Sequence, residues 1–449
     1  MKSFYNKKIG IFGLGKTGIS LFNALSKVTD KIICGDDEKK KLKEVAEFCG
    51  QKNIAQTNDP RWCSLDYIAL SPGVPLSHKI ITIAKKNNIR IISDIETLCL
   101  NYPESNYICI TGTNGKSTTT ALIGHIINNS NRLCKVGGNI GAPCLSLGHS
   151  DTYVLELSSY QIDLLKNFHI DIGVLLNITP DHLQRYDSID QYIKSKEGII
   201  SFMDTKKSIL IASVDNPYTK KILKQASVEK KIPISYKKNI DNGIFITKNK
   251  IFDNVNKKSY VFSTRLKGKH NLENIAASFA VALMFGISID NIVSAIASFE
   301  SLPHRMQYIG HYKNVSFYND SKATNADAAA KALDGLNNIY WIAGGVPKTG
   351  GIESLKPLMR KVKKAYFFGK AKNLFVRTMK GVVDNAKYNT MKEALDIAFG
   401  DAIKSKGRVS ILLCPSCASF DQFKNFEERG EYFIKLVKNL KNKAVINFV

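Results

Sequence analysis

The stretch that decides the fold of this chain is ICITGTNGKSTTT, residues 108–120. Its apolar start predicts a buried strand, its glycines predict a turn, and the residues from Lys116 onward predict a helix. A strand, a glycine turn and a helix N-terminus in this order bind phosphate, because backbone N–H groups and the helix dipole face the anion. Lys116 adds a positive charge to this cradle, and Ser117 offers a hydroxyl oxygen to Mg²⁺. The usual phosphate loop has a further glycine at the position of Ile110, so this sequence is a narrower variant.

The composition predicts a soluble, cytoplasmic protein, and the length of 449 residues predicts about three domains. Of the residues, 44% are hydrophobic and 23% are charged, as in ordinary globular proteins. The apolar runs are too short for a membrane span, and the first predicted strand begins too early to leave room for a secretion signal. The formal net charge is +25, but the lysines are spread along the chain, which favours a solvated surface over a nucleic-acid-binding patch.

The nine cysteines are odd in number and scattered, which predicts reduced thiols in the core of a cytosolic protein. Cys414 and Cys417 have the spacing of a redox or metal pair. No second pair and no histidine cluster accompanies them, so we predict neither a zinc site nor a thioredoxin-like activity.

Strand and helix signals alternate along the chain, which predicts an α/β protein built from three domains. We expect a Rossmann-like N-terminal domain over residues 1–94 and a Rossmann-like C-terminal domain over residues 303–449. Between them, residues 95–302 form a central ATPase domain of the phosphate-loop type, with a mostly parallel sheet. Short strand and turn signals in residues 235–265 predict a small β-rich part within this central domain.

A glycine fingerprint, GLGKTG at residues 13–18, follows the first predicted strand. Asp36 and Asp37 end the second predicted strand, where an acid that binds ribose is expected. Ser71 and Gly73 end a later strand and are candidates for the opposite rim of the same site. This pattern predicts that a pyrophosphate and its ribose bind here, which fits either NAD or a UDP-sugar.

Two further acidic or imidazole groups follow predicted strands of the central domain. Glu156 ends the strand that follows the phosphate loop, and His182 comes just after the strand that ends at Asn177. Open parallel sheets place ligand sites beyond the carboxyl ends of their strands. Oxygen ligands and an imidazole suit Mg²⁺ that bridges phosphates. Taken one at a time, Glu156 is also compatible with a buried structural acid, and His182 with a capping residue.

In the third domain, NDSKATN at residues 319–325 also ends a strand and precedes a helix that is predicted from Thr324. A helix N-terminus with Lys322 beside it favours binding of a carboxylate or a terminal phosphate. Arg305 is suited to clamp either group with two hydrogen bonds. A well-capped helix without a ligand is the alternative.

With these motifs in order, the whole chain resembles the Mur ligases of bacterial peptidoglycan synthesis. The resemblance rests on short segments in all three domains: GTNGKST (112–118), ELSSYQ (156–161), NITPDH (177–182), HNLEN (270–274), HR (304–305) and NDSKATN (319–325). The segment CASFDQFKNFEERG (417–430) resembles the members that add D-glutamate. The tetrapeptide Asp-Asn-Pro-Arg, typical of the members that add diaminopimelate or lysine, is absent from the third domain.

The resemblance implies a role for each matching residue. ATP would be bound by Gly112, Thr113, Asn114, Gly115, Lys116, Ser117, Thr118, Asn271, Asn274, Arg305 and Asp320. The UDP-linked substrate would be bound by Gly15, Lys16, Thr17, Asp36, Ser71, Gly73 and Asn139, and D-glutamate by Thr324, Lys348, Ser419 and Phe426. Two Mg²⁺ ions would be held by Ser117, Glu156, His182 and a carbamylated Lys196. The catalytic residues would be Lys116, His182, Lys196 and Lys322.

Two of these implied roles have a complication in the sequence. A bare Lys196 would repel a metal ion, whereas a carbamate would supply an anionic oxygen, and Lys194 is an alternative position for that modification. The family's Gly-Gly loop usually carries Asp or Gly before its basic residue, but here Val346 and Pro347 precede Lys348. We therefore leave the positioning of Lys348 open.

The implied reaction is the ATP-dependent joining of D-glutamate to UDP-MurNAc-L-Ala through an acyl phosphate. The expected partners are these small molecules and ATP, with no nucleic acid and no membrane span, and the expected state is a monomer. An NAD-dependent dehydrogenase would leave the phosphate loop and residues 319–325 without a task. A nucleic-acid-dependent ATPase would need stacking aromatics among basic residues, which are not evident. A ligase that extends folate chains would not need the N-terminal nucleotide domain.

Overall fold

The computed structural model describes residues 2–181, 185–266, 268–348 and 350–440. It contains three sheets, and their strands divide between two compact units. The first unit comprises Met1–Ser263 with Leu272–Ser298, and the second comprises Thr264–Asn271 with Phe299–Val449. The predicted α/β fold class is confirmed.

The first sheet lies in unit 1 and has four parallel strands in the order β2-β1-β3-β4. Strand β1 (Ile9–Phe12) lies between β2 and β3 and is buried over its whole length, as expected for a strand that helices cover on both faces. The strands are β1 (Ile9–Phe12), β2 (Ile32–Gly35), β3 (Tyr67–Leu70) and β4 (Arg90–Ile92). The helices that follow them are α1 (Lys16–Leu25), α2 (Lys39–Cys49), α3 (Lys79–Lys86) and α4 (Asp94–Asn101).

The second sheet also lies in unit 1 and has the order β13-β12-β11-β10-β9-β8-β5-β7-β6. Its strands are β5 (Asn106–Thr111), β6 (Lys135–Gly138), β7 (Thr152–Glu156), β8 (Ile172–Leu175), β9 (Ile209–Ser213), β10 (Lys230–Ser235), β11 (Ile244–Ile246), β12 (Lys250–Asp253) and β13 (Lys258–Val261). The helices of this region are α5 (Lys116–Asn128), α6 (Ser159–Ile162), α7 (Ile189–Glu197), α8 (Pro217–Gln225), α9 (His270–Met284) and α10 (Ile289–Ser298). The pairs formed among β5 to β10 are parallel. Strand β12 is antiparallel to both of its neighbours, β11 and β13.

Strand β5 is the point where the direction of the strand order reverses. It pairs with β7 on one side, where Ile110 lies opposite Glu156, and with β8 on the other, where Thr111 lies opposite Leu175. Ligands of open parallel sheets bind at such switch points, beyond the carboxyl ends of the strands. The phosphate loop after β5 is therefore flanked by the segments that follow β7 and β8.

The third sheet lies in unit 2 and has the order β14-β15-β19-β16-β17-β18, with only the β14–β15 pair antiparallel among the described strands. Its strands are β14 (Gln307–Tyr312), β15 (Val315–Asn319), β16 (Ile339–Gly344), β17 (Val362–Phe368), β18 (Asn385–Lys387) and β19 (Val409–Leu413). Its helices are α11 (Ala326–Asp334), α12 (Lys372–Met379), α13 (Met391–Ile403) and α14 (Phe426–Asn439). Apolar clusters cover both faces of this sheet, with Trp341 and Tyr366 fully buried on opposite faces.

The predicted β-rich excursion is confirmed as strands β10 to β13, although it begins earlier than residue 235. The helix predicted from Thr324 begins at Ala326 instead, because the Asn325 side chain accepts the N–H of Ala328 and acts as the N-cap. Strand β14 was not predicted. No helix in the described ranges is long and apolar enough to cross a membrane.

Candidate active site

The phosphate loop joins β5 to α5 through two glycines with positive φ, Gly112 at +146° and Gly115 at +89°. Gly115 is also the N-cap of α5. A Cβ atom at this position would clash with Oδ1 of Asn274 on α9, so both the backbone angle and the space require glycine. The sequence prediction of a strand, a glycine turn and a helix over this segment is confirmed.

Two lysines converge on one carbonyl of this loop. Lys116 Nζ donates to the carbonyl of Gly112 at 2.8 Å and to that of Thr113 at 2.9 Å. Lys196 Nζ, on α7, donates to the same Gly112 carbonyl at 2.9 Å and lies 4.8 Å from the centre of the Tyr192 ring. Burial, and then the charge of Lys116, holds the pKa of Lys196 well below its usual range. Lys194, the alternative position for carbamylation, is exposed.

The segment that follows β8 holds the loop from one side. Asn177 Oδ1 accepts the N–H of Asn114 at 3.0 Å, and the backbone carbonyl of Asn177 accepts the N–H of Thr113 at 2.7 Å. The Thr113 hydroxyl donates to the carbonyl of Thr179 at 3.1 Å and accepts the N–H of Thr179 at 3.0 Å. These bonds hold the backbone of the loop in place. His182, a predicted metal ligand and catalytic residue, lies outside the described residues.

On the other side, the end of β7 presents a buried carboxylate. Glu156 is 2% exposed, and the hydroxyl of Ser117 donates to its Oε2 at 2.5 Å. Asn139, which follows β6, donates from Nδ2 to Oε1 at 2.9 Å. The structure therefore brings Asn139, which the resemblance assigned to the UDP-linked substrate, into contact with Glu156 of the predicted magnesium site. A hydroxyl oxygen and a carboxylate at this distance form a suitable oxygen donor set for Mg²⁺.

Helix α9 carries the predicted adenine-binding residues Asn271 and Asn274, both of which are largely buried. Oδ1 of Asn274 accepts the hydroxyl of Thr119 at 3.2 Å, one turn into α5. Thr118 is half-buried in the first turn of the same helix. Asn274 is thus in contact with the phosphate loop.

The glycine fingerprint of the first sheet forms a tight turn onto helix α1. The Asp36 carboxylate accepts the N–H of Leu14 at 2.6 Å and that of Glu38 at 2.9 Å. The Ser71 hydroxyl donates to the Gly13 carbonyl at 2.5 Å. Asp36 and Ser71 therefore shape the loop itself. Each carboxylate oxygen has a second lone pair, so the predicted ribose contact remains compatible with this geometry.

Apart from Asn139, which contacts Glu156, the other residues predicted to bind the UDP-linked substrate lie around this turn and stay accessible. Gly15 is the N-cap of α1, Lys16 and Thr17 form its first turn, and Gly73 is exposed in the loop after β3. The N-terminus of α1 thereby presents backbone N–H groups and a positive dipole to an approaching anion.

In unit 2, the segment after β15 carries a buried acid beside two cations. Asp320 is 8% exposed, and its Oδ1 accepts the N–H of Met306 at 3.1 Å. Burial raises the pKa of Asp320 to about 6, against the opposing influence of the Met306 hydrogen bond and of the Arg305 charge. The ammonium group of Lys322 lies 3.8 Å from the ring centre of Phe426. Lys322 and Phe426, predicted separately, are thus in direct contact.

The loops after β16 and β19 interlock at the same edge of the third sheet. Val346 and Ala418 exchange two backbone hydrogen bonds, at 2.8 and 3.1 Å. This pairing brings the exposed Lys348 and the buried Ser419 onto neighbouring loops, and Lys348 is close enough to influence the Cys417 thiol electrostatically. Val346 departs from the family pattern, but it pairs with Ala418 through its backbone N–H and carbonyl. Its side chain makes neither of these two hydrogen bonds.

Sequence reasoning missed three residues with several contacts, Arg429 in unit 2 and Tyr192 and Arg185 in unit 1. Arg429 is fully buried and donates to the carbonyls of Ser321, Gly344 and Cys417. Tyr192 contacts both Lys196 and Thr113, and Arg185 donates to the carbonyl of Pro72 while stacking over Tyr160 at 3.9 Å. Only Arg429 had a signal, since it lies inside the quoted segment 417–430.

Comparison with known proteins identifies the family. A family model of the Mur ligase middle domain matches residues 110–282, and one of the Mur ligase MurD-like N-terminal domain matches residues 7–93. The UDP-N-acetylmuramoylalanine–D-glutamate ligase of Rickettsia felis is 51% identical to this chain over 443 residues, which are 98% of each sequence. The enzyme of the same name from Rickettsia prowazekii is 50% identical over 443 residues, which are 98% of this chain and 99% of that protein.

Solved structures share the fold at much lower identity. The MurF ligase of Thermotoga maritima in complex with ADP has a TM-score of 0.62 and 18% identity, and the match covers 98% of this chain and 100% of that one. The UDP-N-acetylmuramate–alanine ligase MurC of the same organism has a TM-score of 0.62 and 16% identity, with 97% and 100% covered. The chain therefore belongs to the Mur ligase family and, within it, to the UDP-N-acetylmuramoylalanine–D-glutamate ligases.

Proposed function

We propose that this protein joins D-glutamate to UDP-N-acetylmuramoyl-L-alanine (UDP-MurNAc-L-Ala) at the expense of ATP, in the synthesis of peptidoglycan precursors. ADP and phosphate are the other products. The names of relatives that are 50% and 51% identical over nearly the whole chain support the substrates. The single structural observation that carries the proposal is the phosphate loop with two lysines on one side and the Ser117–Glu156 pair on the other.

The chemistry explains why ATP is required. A carboxylate does not react with an amine to form an amide, because oxide would have to leave. A carboxylate oxygen of the L-alanyl group attacks the γ-phosphorus of ATP, the bond to the β-phosphate oxygen breaks, and ADP leaves. The amine of D-glutamate then attacks the acyl carbon and loses a proton, and phosphate departs with one of the original carboxylate oxygens.

The residues of the phosphate loop have a direct task in the first step. Both reacting groups are anions, so their approach requires positive charge close to the transferred phosphoryl group. Lys116 is already at the loop and needs only to exchange its carbonyl contacts for phosphate oxygens. Positioning of the two reactants then lowers the barrier further. We assign Arg305, Asp320 and Lys322 of unit 2 to the nucleotide as well.

The donor set fits magnesium. Ser117 and Glu156 would hold one ion, with Asn139 orienting the carboxylate through its hydrogen bond. When bound, Mg²⁺ neutralises phosphate charge and acts as a Lewis acid. His182 and a carbamylated Lys196 are the ligands we propose for a second ion.

Carbamylation of Lys196 is supported by the environment of its amine. The side chain is 1% exposed and shares the Gly112 carbonyl with Lys116, so two cations would stand side by side. The ammonium group would lose one proton before its nitrogen attacks carbon dioxide and a second proton as the C–N bond forms, so a negative charge would replace one of these positive charges. The carbamate N–H retains the ability to donate to Gly112.

We assign three domains to the three substrates. Residues 1–94 bind the UDP part through Gly15, Lys16, Thr17, Asp36, Ser71 and Gly73, and Asn139 is a further contact. Residues 95–302 bind ATP. Residues 303–449 bind D-glutamate through Thr324, Lys348, Ser419 and Phe426. We propose that the protein is a monomer and acts in the cytoplasm, where ATP and soluble UDP-sugars are available.

Isotope transfer tests this function. UDP-MurNAc-L-Ala labelled with oxygen-18 in its terminal carboxylate is incubated with ATP, Mg²⁺ and D-glutamate. One labelled oxygen per turnover should appear in inorganic phosphate. Unlabelled phosphate would mean that water, not the carboxylate, attacks ATP, and the proposed acyl phosphate would be wrong.

A further inference from the structure

Asn177 has a side-chain amide with three described hydrogen bonds, and their directions are linked. Its Nδ2 donates to Glu273 Oε2 at 2.6 Å and to the carbonyl of Asn114 at 3.1 Å. Its Oδ1 accepts the N–H of Asn114 at 3.0 Å. The amide therefore pairs with both backbone groups of one phosphate-loop residue, while a carboxylate from α9 holds its other N–H.

The Glu273 carboxylate favours the same orientation of this amide as the Asn114 backbone does. An ionised carboxylate only accepts hydrogen bonds, so the NH₂ end of Asn177 must point toward Glu273. In that orientation the oxygen end meets the N–H of Asn114, as the pairing requires. The reversed amide would place two acceptors together at Glu273 and two donors together at Asn114. The short hydrogen bond from Asn177 to the Glu273 carboxylate is stronger than a bond between neutral groups, which further favours this orientation of the amide.

Helix α9 braces the phosphate loop at a second point. Asn274, the next residue on the helix, contacts Gly115 and accepts the hydroxyl of Thr119. Glu273 is 8% exposed, Asn274 is 1% exposed, and both belong to the same compact unit as the loop. The helix that carries the proposed adenine contacts is thus fixed to the proposed phosphate contacts by neighbouring side chains.

We infer that Glu273 is a positioning residue of the nucleotide site: through the Asn177 amide, it fixes the backbone of Asn114 in the conformation that receives the phosphates of ATP. This inference rests on the proposed function only in taking ATP as the ligand. In this role Glu273 acts through its hydrogen bond with Asn177 and not by touching the nucleotide. Replacing its carboxylate with an amide, Glu273→Gln, keeps the size of the side chain and removes the directional constraint.

ATP binding by the purified full chain, measured by calorimetry in the absence of the other substrates, tests the inference. Glu273→Gln should weaken ATP binding by about tenfold, since bonds to charged groups are worth more than neutral ones. Asn177→Asp should weaken it further, because two carboxylates then face each other. The double variant should bind ATP better than Asn177→Asp alone, because the new glutamine amide donates to the new carboxylate. Glu353→Gln, at an exposed ion pair with Lys356 in unit 2, is the matched control and should bind ATP normally.

Kinetics separate positioning from general damage. The KM for ATP should rise in Glu273→Gln, whereas the KM values for UDP-MurNAc-L-Ala and D-glutamate and the thermal midpoint stay near those of the wild type. Unchanged ATP binding in Glu273→Gln, or additive effects in the double variant, would overturn the inference. If the wild type binds ATP and the variants lose binding as described but no ligation product forms, the positioning role stands and the proposed function fails.

Discussion

The phosphate loop of unit 1 and the strand-end loops of unit 2 both lie at the carboxyl edge of a parallel sheet, yet they are held in different ways. In unit 1 a single short loop is fixed by side chains from neighbouring segments, chiefly Asn177 and Asn274. In unit 2 several loops pair with one another through their backbones and close around the buried Arg429.

The positively charged side chains also differ between the two regions. At the phosphate loop, Lys116 and Lys196 both donate to the carbonyl of Gly112. In unit 2 the guanidinium of Arg429 donates to three backbone carbonyls, whereas Lys348 on the same edge of the sheet is exposed. Arg429 therefore stabilises the strand-end loops of unit 2, whereas Lys116, which is half-buried at the phosphate loop, is the cation that we assign to chemistry.

The largest expected effect is at the phosphate loop. Lys116→Ala should lower kcat by about a thousandfold, or about 4 kcal/mol, because Lys116 supplies positive charge to the transferred phosphoryl group. Phosphate release with all three substrates measures the loss. Lys406→Ala, at an exposed lysine in unit 2, is the control and should retain activity. Near-normal turnover of Lys116→Ala would remove this residue from the mechanism.

The buried cation of unit 2 should affect stability rather than chemistry. Arg429→Leu leaves three buried carbonyls without their donor and should destabilise the third sheet by about 3 kcal/mol. Hydrogen exchange read by mass spectrometry should show lost protection in residues 344–348 and 414–421. Protection in residues 108–128 of the phosphate-loop region should remain. Equal loss in both regions would contradict the separation drawn here.

The buried acid of unit 2 predicts a pH dependence of stability. Burial raises the pKa of Asp320 from 3.8 to about 6, so the folded state holds this proton more tightly than the unfolded state. Its contribution, about 3 kcal/mol, is present below pH 4 and is lost as the pH rises through 6. Asp320→Asn has no such proton, so urea titrations at pH 4 and pH 7 should differ less for the variant than for the wild type. Parallel pH profiles would show that the acid is not buried in solution.

The smallest expected effect is at the exposed cation. Lys348→Ala should raise the KM for D-glutamate by about tenfold, because a charged hydrogen bond to a carboxylate is lost, and should leave the KM for ATP within twofold. Initial rates at varied D-glutamate and varied ATP give both constants. An unchanged KM for D-glutamate would mark Lys348 as a surface residue.

Local patterns were sufficient to predict much of the fold. The alternating strand and helix signals correctly predicted an α/β fold, and apolar runs such as IGIF at residues 9–12 and VSILL at residues 409–413 form strands. Strands of a parallel sheet are buried on both faces, so their sequences are continuous apolar runs and do not alternate between apolar and polar residues. Strand β14 was missed, because it pairs only at the sheet edge and its sequence, QYIGHY, includes a glycine and polar residues.

Residues of the candidate site were predictable where they belong to a local sequence motif. They were not predictable where they are joined only by a contact between distant parts of the sequence. Lys116, Ser117 and Glu156 lie in recognisable segments, and the register of β5 against β7 brings them together. The pairing of Glu273 with Asn177 joins residues 96 positions apart, and nothing local marks it. The binding roles assigned to Thr324, Lys348 and Ser419 remain predictions.

Product analysis under single-substrate omission is the most direct test. Purified protein, ATP, Mg²⁺ and UDP-MurNAc-L-Ala are combined with either D-glutamate or L-glutamate, and nucleotide, phosphate and peptide products are quantified together. We expect equal amounts of ADP, phosphate and the D-glutamyl product, and no product with L-glutamate or without ATP. ATP hydrolysis without a new amide, or equal use of both enantiomers, would contradict the assignment.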